Sequence, residues 1–159
     1  MILDSFRLKG KNALVTGSRA GLGEATAIGL AEAGANVVVH GSKEAGMDDV
    51  VAAVRSQGGK GAGITADLAD PQAPERLIDF TVRELGSIDI LVNNAGIIRR
   101  NSAADYTLED WNHVLQIDLT TVFRLAQLAG RHMLAQGSGK IINIASLLSF
   151  QGGILWKPT

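Results

Sequence analysis

Thr16, Gly17, Ser18, Arg19, Ala20, Gly21, Leu22 and Gly23 set three glycines at the spacing of a dinucleotide-binding turn. Such a turn reverses the chain tightly, lets backbone approach a diphosphate and aims a helix N-terminus at its negative charge. The same residues also suit a plain strand-to-helix joint. Asp67 offers a carboxylate to an adenine amino group, or simply closes a turn. Asn93 and Asn94 carry amides that can tie strand ends together or contact a ribose, while Ala95 and Gly96 leave room for a flat ring against backbone. Gly41 stands where an acidic residue would hold the ribose hydroxyls of NAD; Ser18, Arg19, Ser42 and Lys43 can instead gather around a 2′-phosphate and favour NADP. Arg19 is equally suited to a solvated turn, and both cofactors stay open. Arg99 and Arg100 can clamp a carboxylate or remain a solvated pair; adjacent residues of an extended segment point opposite ways, so at most one faces a site. His40, His113 and His132 lack ligand spacing and read as surface or packing residues, and no metal is expected.

Holding these groups at one place requires a strand ahead of each. Apolar segments at 12–15, 37–39, 61–66, 88–92 and 141–145 read as five strands, with helical periodicity between them, including 22–33 and 108–135. Strict alternation of strand and helix predicts an α/β fold: a Rossmann-like, doubly wound parallel sheet with helices on both faces, in three layers. In such a sheet ligands bind beyond the carboxyl ends of the strands, where the glycine turn, Asp67 and Asn93-Asn94 all fall. Asp70-Pro71 reads as a helix start, Thr107-Leu108-Glu109-Asp110 as a capping box, and Gly34, Gly58 and Gly86 as helix stops. The chain, 1–159, reads as one continuous domain.

Composition narrows the function classes. At 159 residues and 46% hydrophobic content the chain can bury a real core. A formal charge of −1 without basic runs offers no electrostatic footprint for nucleic acid or an anionic membrane. With no cysteine, disulfides, thiol nucleophiles and thiolate metal sites are excluded within this chain. The first residues lack a signal-peptide core and no apolar run reaches membrane-spanning length, so the expectation is a soluble, cytoplasmic protein.

Lys9-Gly10-Lys11, the TGxxxGxG run at 16–23, Asp67-Leu68, Asn93-Asn94-Ala95-Gly96 and Lys140-Ile141-Ile142-Asn143-Ile144-Ala145-Ser146, in that order, resemble the short-chain dehydrogenase/reductase family. The resemblance covers about residues 7–154. More narrowly, Ala95-Gly96-Ile97-Ile98-Arg99-Arg100 and the stretch 144–153 look like 2-deoxy-D-gluconate 3-dehydrogenases and related reductases of keto-deoxy sugar acids. This likeness implies hydride exchange between NAD or NADP and a secondary alcohol or ketone of a sugar acid such as 2-deoxy-D-gluconate. It implies a cofactor site of Gly17, Ser18, Arg19, Gly21, Leu22, Gly23, Ser42, Asp67, Leu68, Asn94, Ala95 and Gly96. Ser146 matches the family serine that holds the substrate oxygen, although a strand-end serine can also bond its own turn; Arg99 and Arg100 would meet the acid. The narrow likeness leans to NAD and the local charges to NADP.

Two departures stand against this pattern. The family's catalytic tyrosine opens a YxxxK pair, its phenol acting as general acid or base and the lysine lowering its pKa. Counting from Ser146 places that tyrosine at Thr159, and residues 155–159 no longer resemble the family. Tyr106 is in no YxxxK relation. Asp118 occupies the position of the supporting asparagine, whose backbone carbonyl the resemblance implies holds a proton-relay water; its side chain can also bond locally. The chain therefore reads as the N-terminal portion of such an enzyme, lacking the C-terminal strands and helices, with a fifth strand left as a raw edge, self-association expected and the family's homo-oligomer impaired. Three functions compete: a sugar-acid oxidoreductase, a catalytically silent remnant that at most binds the nucleotide, and a ketone reductase of the same family with another substrate.

Overall fold

Five strands, β1 (Asn12–Val15), β2 (Asn36–Gly41), β3 (Gly61–Thr65), β4 (Ile90–Asn93) and β5 (Lys140–Asn143), pair in parallel in the order β3-β2-β1-β4-β5. The computed structural model describes residues 2–150. Between the strands run α1 (Gly21–Glu32), α2 (Met47–Ser56), α3 (Ala73–Leu85), α4 (Leu108–Leu115) and α5 (Val122–Gln136). Side chains alternate along a strand, so β1 sends Ala13 and Val15 to one face and Leu14 to the other; β2 divides Val37 and Val39 from Val38 in the same way. The first face packs on Ala27 and Ala31 of α1 and Val50 and Val54 of α2. The second packs on Leu77 and Ile78 of α3 and Leu125, Ala129 and Met133 of α5. Covering both faces is why the central strands are apolar runs rather than alternating ones, and each fully buried valine or leucine contributes about 1.5–3 kcal/mol.

Boundaries moved where local chemistry differs from periodicity. The fourth strand, expected over 88–92, spans Ile90–Asn93, because Ile88 is buried ahead of the ladder and its carbonyl accepts from Gln136 Nε2 at 3.1 Å. The fifth, expected over 141–145, spans Lys140–Asn143. Asp70-Pro71 does not start α3: Asp70 Oδ1 accepts from the Gln72 amide at 2.9 Å in a preceding turn, and Pro74 occupies the helix's first turn. Thr107 Oγ1 accepts from the Asp110 amide at 3.1 Å, giving half of the expected capping box; the Asp110 carboxylate pairs instead with Arg99.

The single helix expected over 108–135 is interrupted. A π-helical turn, Gln116–Thr121, separates α4 from α5. Thr121, fully buried, donates from Oγ1 to the Leu68 carbonyl at 2.8 Å and accepts from Gln116 Nε2 at 3.2 Å, fixing this widened turn to the loop after β3. Such turns concentrate at functional sites because they re-aim side chains, and this one carries Asp118.

Among the described residues β5 lies at the sheet edge, with its Ile141 and Ile142 at 39% and 44% exposure and Ile144 just beyond it at 48%. Unpaired strand edges with apolar side chains recruit other chains. The 159-residue protein is expected to self-associate, and Ile142→Lys to shift it toward monomer in sedimentation velocity; a monomeric wild-type peak at tens of micromolar would contradict this.

Candidate functional site

Strand register brings the site together. Val15 lies beside Val39 and Val92, and Asn93 beside Asn143, so the residues that follow β1, β2 and β4 emerge at one level. Two adjoining clefts open there. The first, ≈ 380 Å³, is lined by Gly17, Leu22 and Gly23 of the turn, His40 of β2 and Ser42 after it, Asp67 and Leu68 after β3, and the segment 94–97. The second, ≈ 480 Å³, shares 94–97 and adds Asn143, Ser146 and Asp118.

Thr16 and Asn94 build the first cleft's floor. Thr16 Oγ1 accepts from the Asn94 and Ala95 amides, both at 3.1 Å, and Asn94 Nδ2 donates to the carbonyls of Thr16 at 2.9 Å and Gly17 at 3.2 Å. Asn94 thus clamps the glycine turn rather than presenting its amide nitrogen to a ribose. The turn is seated so tightly that a Cβ on Gly17 would lie 2.9 Å from Ala95 Cα. A Cβ on Gly23 would meet the Gly17 carbonyl oxygen at 2.3 Å and Asn94 Nδ2 at 2.5 Å. At Ala20 no side chain caps α1, so the amides of its first turn are left without a capping oxygen beside the cleft that Leu22 and Gly23 line. A cradle filled by any Cβ and an uncapped helix start fit a diphosphate.

Several sequence-derived assignments change. Ser18 is fully buried and fully used: Oγ donates to the Val15 carbonyl at 2.7 Å and accepts from the His40 amide at 3.0 Å, leaving nothing for a 2′-phosphate. Arg19 folds along Gly41 and donates from Nη1 to the Ala45 carbonyl at 2.9 Å, bracing the loop after β2. Ser42 stays on the cleft, and Lys43 is exposed. Asp67 lines the cleft with Oδ1 accepting from the Ala69 amide at 2.9 Å. Leu68 borders the cleft but is buried in the core below it. Gly21 begins α1, and Ala95 and Gly96 line both clefts.

In the second cleft Asp118 Oδ1 accepts from the Ile97 amide at 2.9 Å, pinning the segment that separates the two clefts. Ser146 Oγ accepts from the Leu148 amide at 3.2 Å, capping its own 3₁₀ turn while still lining the cleft; its O–H remains able to donate. Asn93 Nδ2 donates to Asn143 Oδ1 at 2.9 Å, tying β4 to β5. Arg99 and Arg100 line neither cleft, contrary to the expectation of a carboxylate clamp: Arg99 pairs with Asp110 at 3.4 Å and Arg100 is exposed. The stretch 151–153, the tail and Thr159 lie outside the described residues. Among the described residues no cluster of His, Cys, Asp and Glu could hold a metal ion, and no helix is long and apolar enough to cross a membrane.

His40, expected to be a surface or packing residue, does more than fill space. His40, 2% exposed, accepts from the Gly17 amide at Nδ1 (3.1 Å) and donates from Nε2 to the Ala66 carbonyl (3.0 Å), an assignment that fixes the neutral tautomer. Burial pushes the imidazole below its ordinary value, with the Ala66 hydrogen bond pulling partly the other way. A histidine held neutral in the fold contributes stability that is complete above its unfolded pKa, about 6.5, and is lost as pH falls through the lower folded value. The melting temperature is therefore expected to fall on acidification below about pH 6.5, and to fall less in His40→Asn; parallel profiles would contradict this.

An open parallel sheet with an uncapped glycine turn beyond its carboxyl ends is the layout of a Rossmann-like α/β protein. The family model for the short chain dehydrogenases matches residues 11–158, and the chain belongs to that family. The match runs past Ile154, where the motif likeness was expected to stop. The chain is 50% identical over 155 residues to a 2-dehydro-3-deoxy-D-gluconate 5-dehydrogenase of Bacillus subtilis (strain 168), covering 96% of this chain and 59% of that protein. It is 46% identical over 155 residues to the protein of the same name from Escherichia coli (strain K12), covering 97% and 60%. The crystal structure of a gluconate 5-dehydrogenase from Burkholderia cenocepacia J2315 in complex with NADP and tartrate superposes with a TM-score of 0.87 at 40% identity, covering 96% of this chain and 60% of that one. The chain thus spans about 60% of the length of the curated relatives it matches.

Proposed function

We propose that the chain is the nucleotide-binding portion of an NADP(H)-dependent oxidoreductase acting on a secondary alcohol or ketone of a deoxy or keto-deoxy sugar acid. The observation carrying this reading is the turn at 16–23, where Gly17 and Gly23 admit no side chain and the first amides of α1 lack a cap. NADP is preferred because β2 ends in Gly41, not an acid, and Ser42 lies on the cleft with Arg19 bracing the loop behind it. A relative crystallised with NADP supports the same choice, and its tartrate supports a hydroxy acid as substrate class. The named relatives act at position 5 of a 2-dehydro-3-deoxy acid, the resemblance in the motifs at position 3 of a deoxy acid, and the proposal spans both.

A nicotinamide cofactor held in the first cleft would supply the hydride chemistry. The chain's own residues bind and orient: the glycine turn holds the diphosphate, Asp67 borders the adenosine end, and Ala95 and Gly96 form the flat passage between clefts. Ser146 donates a hydrogen bond from its hydroxyl to the substrate oxygen in the second cleft, and Asp118 keeps the Gly96-Ile97 segment in place. One observation favours nucleotide binding without turnover for this 159-residue chain: its single tyrosine, Tyr106, has Asp110 four residues on, so no YxxxK pair is present to move the proton. Titrating the protein against NADPH and NADH by fluorescence tests the proposal. NADPH is expected to bind at least about 10-fold more tightly, the equivalent of about 1.4 kcal/mol; a folded protein that binds neither would overturn it.

A further inference from the structure

Once Asn94 and Thr16 are accounted for, one side chain in the first cleft remains without a role in the proposed chemistry and yet bonds both the glycine turn and the segment after β3. His40 ends the apolar run of β2, is 2% exposed, and lies on the cleft wall. Its backbone is also committed: His40 N–H donates to Ser18 Oγ at 3.0 Å and its carbonyl accepts from the Ser18 amide at 2.8 Å. The ring then spans the turn and the end of β3, accepting from the Gly17 amide and donating to the carbonyl of Ala66, the residue before Asp67. Two of the parts that would grip a nucleotide, the turn for the diphosphate and Asp67 for the adenosine end, are thereby referenced to a single imidazole.

We propose that His40 is a positioning residue for the dinucleotide, its Nδ1 fixing the Gly17 end of the glycine turn and so the place where the diphosphate is held. This rests on the nucleotide-binding reading above. The physical reasoning is that a backbone amide left unpaired in a buried turn rotates to find another acceptor, and Gly17, at φ +63°, has the freedom to do so. With Nδ1 in place, the Gly17 amide is withdrawn from the ligand. The first amides of α1, which no side chain caps, remain beside the cleft. Asn94 holds the same residue from the other side through the Gly17 carbonyl, so His40 and Asn94 pin the two peptide groups flanking Gly17 Cα.

Asparagine and glutamine separate the two halves of the ring's work. Asn places an oxygen near the position of Nδ1, and Gln places an N–H near the position of Nε2–H. His40→Asn, which restores the acceptor for Gly17, is expected to bind NADPH within about 3-fold of wild type, roughly 0.65 kcal/mol. His40→Gln, which restores only the Ala66 bond, is expected to bind at least about 10-fold more weakly, and His40→Leu likewise. Amide hydrogen exchange of Gly17 in the free protein gives a second readout: protection is expected to persist in the Asn variant and to collapse in the Gln variant. Circular dichroism and melting on each variant identify any that do not fold, and the exchange measurement on the wild type and the remaining variants still decides the matter. If wild type binds NADPH and all variants bind alike, or if Gln binds as wild type and Asn does not, the positioning role is overturned while nucleotide binding stands. If folded wild type binds no NADPH, the functional proposal falls and this inference with it.

Discussion

Replacing Gly23 with alanine is expected to weaken NADPH binding by at least about 100-fold and to cost about 1–3 kcal/mol of stability. The added methyl would sit 2.3 Å from the Gly17 carbonyl oxygen and 2.5 Å from Asn94 Nδ2, neither of which is the loose end of a flexible side chain. Relief requires the turn to move off α1. Amides aimed at the diphosphate then lose their alignment, and two charge-assisted hydrogen bonds at about 1.5–3 kcal/mol each correspond to that loss in affinity. Isothermal titration and thermal melting of the variant separate the two effects. Binding within 3-fold of wild type would contradict the proposed seating, roughly 0.65 kcal/mol being too little for the loss of either bond.

Turnover of a keto-deoxy sugar acid by the 159-residue chain with NADPH is expected to lie at least about 10²–10⁴-fold below that of a full-length relative, the range contributed by a positioned general acid. Ser146 alone can polarise a carbonyl, but its hydroxyl is also the acceptor for Leu148 N–H, and among the described residues no tyrosine or lysine lines the second cleft. Asp118 Oδ1 is engaged by the Ile97 amide, which commits that side chain to holding the segment between the clefts. Following NADPH oxidation by absorbance measures this directly. A rate within 10-fold of the Escherichia coli relative would show that another group moves the proton, since a tenfold change is only about 1.4 kcal/mol in the barrier.

Features confined to one stretch of chain were legible in the sequence. The glycine turn, the five parallel strands and the Thr107 cap each follow from local periodicity or a short motif, and the structure places them within a few residues of the expected bounds. Contacts across the sheet were not legible. Asn94 reaches Gly17 over 77 positions, and His40 reaches Gly17 over 23 and Ala66 over 26, through a register that no periodicity encodes. Ser18 was misassigned for the same reason: a serine in a glycine turn looks available until β2 is laid beside it and its hydroxyl is taken by Val15 and His40. The π-helical turn at Gln116–Thr121 escaped because its apolar spacing mimics a continuous helix, while its cause is a buried bond from Thr121 to Leu68 on another element. Arg99 and Arg100 were drawn toward the site by proximity in sequence to Asn94; the partner that takes Arg99, Asp110, lies beyond the loop.

The most direct measurement is a ¹⁵N–¹H correlation spectrum of the 159-residue protein titrated with NADP. The amides of Gly21, Leu22 and Gly23 should show the largest shifts, with smaller ones at Asp67 and Asn94, and little change at Arg99 or Arg100. Shifts clustered away from the turn, or none at millimolar NADP in a well-dispersed spectrum, would contradict a diphosphate held at the start of α1.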